Sequence, residues 1–324
     1  MMQALSPIAL LSAFVASFTM AGLVHAQEYP VKPIRLIVPF GAGGSSDIFA
    51  RSFAQRSSLG QPIIVENVPG ATGAIGLTRA ARSAPDGYTL AMGATSSFVV
   101  SPQFQKLTYD PIRDFEPVAI MAQILSALVV NESLKVNSLK ELLARAKANP
   151  GKLNFASLGG GSTHHLLGEM LQKSAGIELV HIPYKGNPQA LAALLANEVH
   201  IFFFPAFVDA KAHMDSGKLR ALGVPYASRS SVAPQVPTLR ELGHDIVAPT
   251  WHMLVAPAGT PPAVVKRLAG EVHRVNNLQE MKELLSRQGG ESIGTDPEEL
   301  KKYLVAEFDR YRRLVNDIGI KGEN

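Results

Sequence analysis

Residues 36–47 read Leu-Ile-Val-Pro-Phe-Gly-Ala-Gly-Gly-Ser-Ser-Asp, an apolar run that enters a glycine-rich turn and then a Ser-Ser-Asp helix start. Glycines let the backbone come close to a ligand. The first turn of a helix adds N–H groups without intrahelical acceptors, at the positive end of the helix dipole. The stretch therefore predicts an anion cradle. Around it, Ile34 to Val38 reads as a strand, Asp47 to Leu59 as a helix with Ile48, Phe49 and Phe53 on one side, and Pro62 to Glu66 as a strand. Ile75 to Ser83 follows as a helix and Tyr88 to Gly93 as a third strand. Such a βαβαβ unit implies a parallel sheet with right-handed crossovers. Asp114 to Ala122 supplies another strand.

A second unit then begins. Ala127 to Val130 reads as a strand, and Ser138 to Ala148 as a helix that stops at Pro150-Gly151. Leu153 to Ser157 is a strand running into Leu158-Gly-Gly-Gly-Ser-Thr163, followed by a helix through His165, Leu166, Leu167 and Met170. The design of the opening stretch is thus repeated. Leu179 to Pro183, Val199 to Phe204 and Leu219 to Val224 read as strands, with Pro188 to Ala196 as a helix. Two α/β lobes, each aiming a glycine turn at an opening, describe a chain able to close on a small ligand from both sides.

Upstream, residues 7–26 carry no charged residue and end in Val24-His25-Ala26, a small-residue pattern for signal peptidase. We place a cleaved export signal at residues 1–26, although Met1-Met2-Gln3 lacks the usual basic residue; a retained anchor is the alternative reading. About 300 residues remain, enough for one large or two medium domains. The chain has no cysteine, which excludes disulfides, thiolate metal sites and thiol nucleophiles. A net charge of +4, with Lys and Arg scattered, argues against a nucleic-acid partner.

Enzyme readings are weak. Gly41-Ala-Gly-Gly-Ser-Ser46 approaches the dinucleotide fingerprint, and Glu66 stands where a ribose-binding acid would fall, but Ser46 replaces the third glycine. Gly160-Gly-Ser-Thr-His164 breaks the G-x-S-x-G elbow of serine hydrolases at its last position. His164 and His165 are neighbours that would point about 100° apart on a helix, a poor metal pair. No cofactor and no metal are expected.

Several further motifs occur in order. Tyr29-Pro-Val-Lys-Pro-Ile-Arg leads into the opening strand, and Val65-Glu-Asn, Ala84-Pro-Asp-Gly-Tyr-Thr-Leu90, Tyr109-Asp-Pro111 and Asn149-Pro-Gly-Lys-Leu-Asn-Phe-Ala-Ser157 follow. His181-Ile-Pro-Tyr-Lys-Gly186, Gly217-Lys-Leu-Arg-Ala-Leu222, Pro237-Thr-Leu239, Trp251, Ala256-Pro-Ala-Gly-Thr-Pro261 and Asp317-Ile-Gly-Ile320 complete the series. Over essentially the whole mature chain this resembles the Bug family, the periplasmic solute receptors of tripartite tricarboxylate transporters. The resemblance implies an α/β periplasmic binding protein type II fold, with two lobes joined by crossover strands around a ligand cleft. It places residues 27–124 plus 249–324 in the first lobe and 125–248 in the second. Ala263 to Asn277, Leu278 to Gln288 and Pro297 to Val315 read as amphipathic helices that would pack on the first lobe.

The resemblance also implies a monomer that captures a small carboxylate (a dicarboxylate, aromatic acid or nicotinate-like compound) for a large and a small membrane subunit. A sensor that hands its closed form to a signalling protein is the rival reading. Transferred by motif, ligand contacts fall on Phe40, Gly41, Ala42, Gly43, Gly44, Ser45, Ser46 and Asp47 in the first lobe. Those of the second lobe are Ser157, Gly159, Gly161, Ser162, Thr163 and His165. Thr95, Ser96 and Ser97, after the third strand, face the same opening. N–H and hydroxyl donors hold an anion without the desolvation cost of a buried lysine. Asp47 has a second reading as a helix-capping residue and His165 as scaffold; Tyr184 lines the rim or simply enters a turn, and Arg35 reads as a surface strand residue. Many members of that family carry an acid near the end of the strand that here runs Phe202-Phe-Phe-Pro-Ala-Phe207. Its absence predicts a ligand without an ammonium group, whose body packs near Phe204 and Phe207.

Overall fold

The computed structural model describes residues 29–319 apart from residue 206, and for residues 207–209 the backbone alone. The expected export signal lies outside the described residues. Among the described residues, eleven strands form two sheets. The first, in the order β11-β4-β10-β3-β1-β2, is built from β1 (Ile34–Val38), β2 (Ile63–Asn67), β3 (Thr89–Ala94), β4 (Phe115–Ile124), β10 (Thr250–Pro257) and β11 (Gly290–Glu291). The second, in the order β7-β6-β8-β5-β9, uses β5 (Ser126–Asn131), β6 (Asn154–Ser157), β7 (Val180–Pro183), β8 (Ile201–Pro205) and β9 (Leu219–Gly223).

β1 pairs in parallel with β2 and β3, and β6 in parallel with β7 and β8, so each glycine turn leaves the carboxyl end of a central parallel strand. Helix α1 (Ser45–Arg56) follows the first turn, and α2 (Ala74–Ala81) connects β2 to β3. In the second unit come α3 (Leu139–Ala148), α4 (Thr163–Ala175), α5 (Asn187–Leu195) and α6 (Phe207–Asp215). The last helices are α7 (Pro262–Asn276), α8 (Gln279–Arg287) and α9 (Pro297–Ile318). β10, which local pattern did not reveal, inserts antiparallel between β3 and β4 and returns the chain to the first sheet. The helix α6 was also missed, because it begins two residues after Pro205 and spans only 9 residues.

One face of the first sheet buries Leu36, Val38, Phe49, Phe53, Leu254, Leu268 and Val272. The opposite core runs on from Ile37 and Phe98 through Phe104 to Leu166, Leu167 and Phe203, with Leu304 and Tyr311 of α9 beside it. Burying one such Leu or Phe contributes about 1.5–3 kcal/mol. The first and second sheets therefore share a core where α9 and the residues after β3 meet α4. Among the described residues, no helix is long and apolar enough to cross a membrane.

Candidate functional site

The first turn is exposed at Gly41, Ala42, Gly43 and Gly44, half-buried at Phe40 and Ser45, and buried at Ser46 and Asp47. Gly43 has φ +80 with nothing within 4 Å of an added Cβ, so its glycine is required by conformation rather than by space. The helix is capped by Gly44 without a side-chain bond. Asp47 stands at its third position and reaches back instead, Oδ2 accepting from the Gly43 N–H at 2.9 Å. Its Oδ1 accepts from Asn67 Nδ2 at 2.9 Å, and Arg51 Nε donates to it at 3.0 Å. Burial alone would raise the Asp47 pKa, but the hydrogen bonds from Arg51, Gly43 and Asn67 outweigh it and hold the carboxyl below its ordinary range. With its charge so engaged, Asp47 shapes the turn. Asn67 also donates to Phe40 O at 3.1 Å, tying the turn to β2.

The turn has a further support that sequence reasoning missed. The β10 register sets His252 opposite Ala94, at the carboxyl end of β3. Its Nδ1 lies 2.9 Å from Ser46 Oγ and its Nε2 3.2 Å from Ser45 Oγ, while Phe49 packs against the ring at 5.7 Å. Burial pushes its pKa down to about 4, so the ring is neutral, donating through one nitrogen and accepting through the other. His252 lies about two hundred residues along the chain from the serines, and only the tertiary placement of β10 joins them.

Ser96 is half-buried, and the side chains on either side of it are engaged. Thr95 Oγ1 donates to Pro249 O at 3.2 Å and accepts from Trp251 N at 2.8 Å, so the buried hydroxyl satisfies the backbone that enters β10. Ser97 Oγ is bonded to the Ala94 backbone.

In the second turn, Ser157 Oγ accepts from Gly159 N at 3.0 Å and lies 2.5 Å from His181 Nε2. Ser162 caps α4, accepting from His165 N at 3.2 Å, and its own N–H donates to Gly159 O at 3.3 Å. Gly161 N donates to His165 Nδ1 at 3.4 Å. His165 is stacked on His181 with centroids 4.2 Å apart, and burial first, then His181, pushes its pKa down to about 4. His165 is thus bound into the scaffold of the turn. Tyr184 is half-buried and its N–H donates to Ser157 O at 2.9 Å. Phe204 is 1% exposed, in the core with Ala127, Val129 and Phe202, so it does not line an opening; alternate residues of a strand covered by helices are buried. The Phe207 side chain lies outside the described residues.

The lobes touch beside the second turn. Ser101 Oγ donates to Gly161 O at 3.4 Å, and a Cβ on Gly161 would stand 3.4 Å from Phe104. Residues 96–104 and the second turn are therefore brought together. Among the described residues, no hydrogen bond or ring contact joins residues 40–47 to 157–165. A surface cavity of about 550 Å³ is lined by Lys106, Tyr109, Asp110, Arg113 and Phe308 and takes no residue from either turn. Glu66 is engaged by Arg79 at 2.5 Å and by Arg35. Among the described residues, no group of three or more His, Asp or Glu is placed to hold a metal ion.

Residues 50–320 match the model of the tripartite tricarboxylate transporter family receptor. The chain is 36% identical over 321 residues to protein BugT of Bordetella pertussis, covering 97% of this chain and 98% of that protein. A protein of R. palustris solved with adipate is 30% identical with a TM-score of 0.82, covering 90% of this chain and 99% of that one. MatC of Rhodopseudomonas palustris with bound malate is 30% identical with a TM-score of 0.79, covering 89% and 100%. On the sequence match, the two-sheet architecture and these structural likenesses together, the chain belongs to the tripartite tricarboxylate transporter receptor family, the Bug-type periplasmic solute-binding receptors, and is not an enzyme.

Proposed function

We propose that this receptor encloses a small carboxylated ligand between its lobes and delivers it to a tripartite tricarboxylate-type transporter. The lobes divide at 124/125 and 248/249. The observation that supports the reading is the exposed turn Gly41 to Gly44. Its neighbouring polar side chains are engaged by His252, Asn67 and Arg51, and the N–H groups of Gly43 and Gly44 donate to Asp47 and to Gly41 O, so what it offers a ligand is the remaining backbone N–H at the start of a 12-residue helix. That chemistry selects an anion. The neighbours solved with adipate and malate support a carboxylate. Rotation of one lobe toward the other would bring the second turn onto the bound ligand, and a membrane partner that prefers the closed form would tighten binding by the same factor.

The protein reaches its site of action as an exported chain cut after Ala26; a mature N-terminus other than Gln27, read by mass spectrometry, would overturn that cut. A thermal-shift screen of the mature protein against a carboxylic acid library tests the ligand class. An acid at a hundred times its dissociation constant adds about 2.7 kcal/mol to stability. Stabilisation by non-acidic compounds alone would reject the carboxylate. The ligand carries no ammonium group, and an isotherm tighter for an amino acid than for its deaminated analogue would show otherwise.

A further inference from the structure

The His252 ring lies between two hydroxyls, with Nδ1 2.9 Å from Ser46 Oγ and Nε2 3.2 Å from Ser45 Oγ. Ser46 and His252 are 3% and 6% exposed, whereas Ser45, the first residue of α1, is half-buried beside the exposed Gly41 to Gly44. Among the described residues, neither hydroxyl has another partner. A neutral imidazole carries one N–H and one bare nitrogen, so this chain of three groups runs in one of two directions. With the proton on Nδ1, the ring would donate to Ser46, Ser45 would donate to Nε2, and the Ser46 proton would be buried without an acceptor. A buried donor left unpaired costs a fold its full desolvation penalty, which one facing solvent escapes. The opposite direction avoids the cost. Ser46 donates to Nδ1, Nε2–H donates to Ser45 Oγ, and the only proton left over is that of Ser45, on the residue that solvent reaches.

Resting on the carboxylate reading above, we propose that His252 is a positioning residue for selectivity: in its Nε2–H form it fixes the Ser45 hydroxyl as a donor to the ligand of the first turn. The register of β10 delivers the ring, and Phe49, tilted against it at 5.7 Å, helps to keep its plane. The start of α1 then faces the ligand with donors, its free backbone N–H groups and this hydroxyl. An ionised carboxylate only accepts and so matches them, while the NH2 of a carboxamide brings donors to donors.

Two measurements on the mature protein test the assignment. The first needs no ligand. Nitrogen-15 NMR of histidine-labelled protein at neutral pH, with His252 assigned by its loss in His252→Gln, should show a protonated Nε2 and a bare Nδ1; a protonated Nδ1 would overturn the relay whatever the protein binds. The second is calorimetric titration with adipate, malate and benzoate, and with their amides, on the wild type, Ser45→Ala, His252→Leu, His252→Gln and the double variant Ser45→Ala/His252→Leu. Each of Ser45→Ala and His252→Leu should weaken acid binding about tenfold and narrow the preference for acid over amide. The double variant should lose no more than either alone, because the ring acts through the hydroxyl. His252→Gln, able to accept from Ser46 through Oε1 and donate to Ser45 through Nε2, should keep most of the affinity. Additive losses, or a His252→Leu protein that binds acids like the wild type, would overturn the positioning role and leave the carboxylate reading standing. A His252→Gln protein as weak as Ser45→Ala decides in the same way if the leucine variant does not fold. Binding of no acid, or of the amides in preference, would remove the carboxylate reading and the role in selectivity with it, even with the tautomer as expected.

Discussion

The turn after β1 ties the side chains of Ser45, Ser46 and Asp47 to neighbouring elements, whereas the turn after β6 ties those of Ser157, Ser162 and His165 to its own backbone and leaves Thr163 Oγ1 and the His164 ring unpaired. Both read as strand, glycines, hydroxyl residue and helix. The difference lies in what surrounds them: the first is braced by β2 and β10, while the second is braced by its own residues and by His181.

The sharpest way to break the contrast is Asp47→Ala. It leaves the Gly43 N–H and one N–H of the Asn67 amide without their acceptor and should cost about 3 kcal/mol, at the upper end for hydrogen bonds to a charged group. Chemical denaturation checks the loss, and a variant as stable as wild type would show the first turn to be self-supporting. On the other side, Gly168→Ala would set a Cβ 2.1 Å from the Phe155 ring, prying α4 from β6. Overpacking of that kind should cost about 2 kcal/mol, and denaturation of the variant reads it directly.

Acidification should weaken both sides. His164, His165 and His252 are held by burial at about 4 instead of the ordinary 6.5. Between those values the unfolded chain binds more protons than the folded one, so stability is full above about pH 6.5 and falls toward pH 4. A melting temperature flat across that window would contradict the neutral, buried state of these rings. Replacing His252 by Gln should shrink the slope. The smallest effect expected is that of Gly43→Ala, where space is open and the positive φ alone opposes a side chain; about 1 kcal/mol should be lost.

Much of this was legible in the chain. The strands and helices that carry both turns stand within a few residues of where periodicity sets them, since each is an apolar run bounded by Gly, Pro or a capping residue such as Ser138. β10 was not, because Thr250–Pro257 joins a sheet whose other central strands lie far away in sequence, and His252 went unnoticed with it. The partners of Thr95 were hidden for the same reason: Trp251 arrives on β10 and Pro249 just ahead of it. At Phe204 the aromatic run was read for a ligand although a strand covered on both faces buries each residue in turn. His164 was weighed only as half of a metal pair. Its unpaired nitrogens become visible once the acceptors around it are placed.

The two passages of the chain between the sheets run side by side. Ser126 Oγ, on the outgoing passage, lies 3.3 Å from Thr250 Oγ1 on the returning one, and the buried Tyr226 hydroxyl donates to Ile124 O and accepts from Ser126 N. Stitched together this way, the two passages form one joint between the sheets. In the capture proposed above, the length of a held molecule would set the angle at that joint, and a partner docked across both lobes would register its size without touching it.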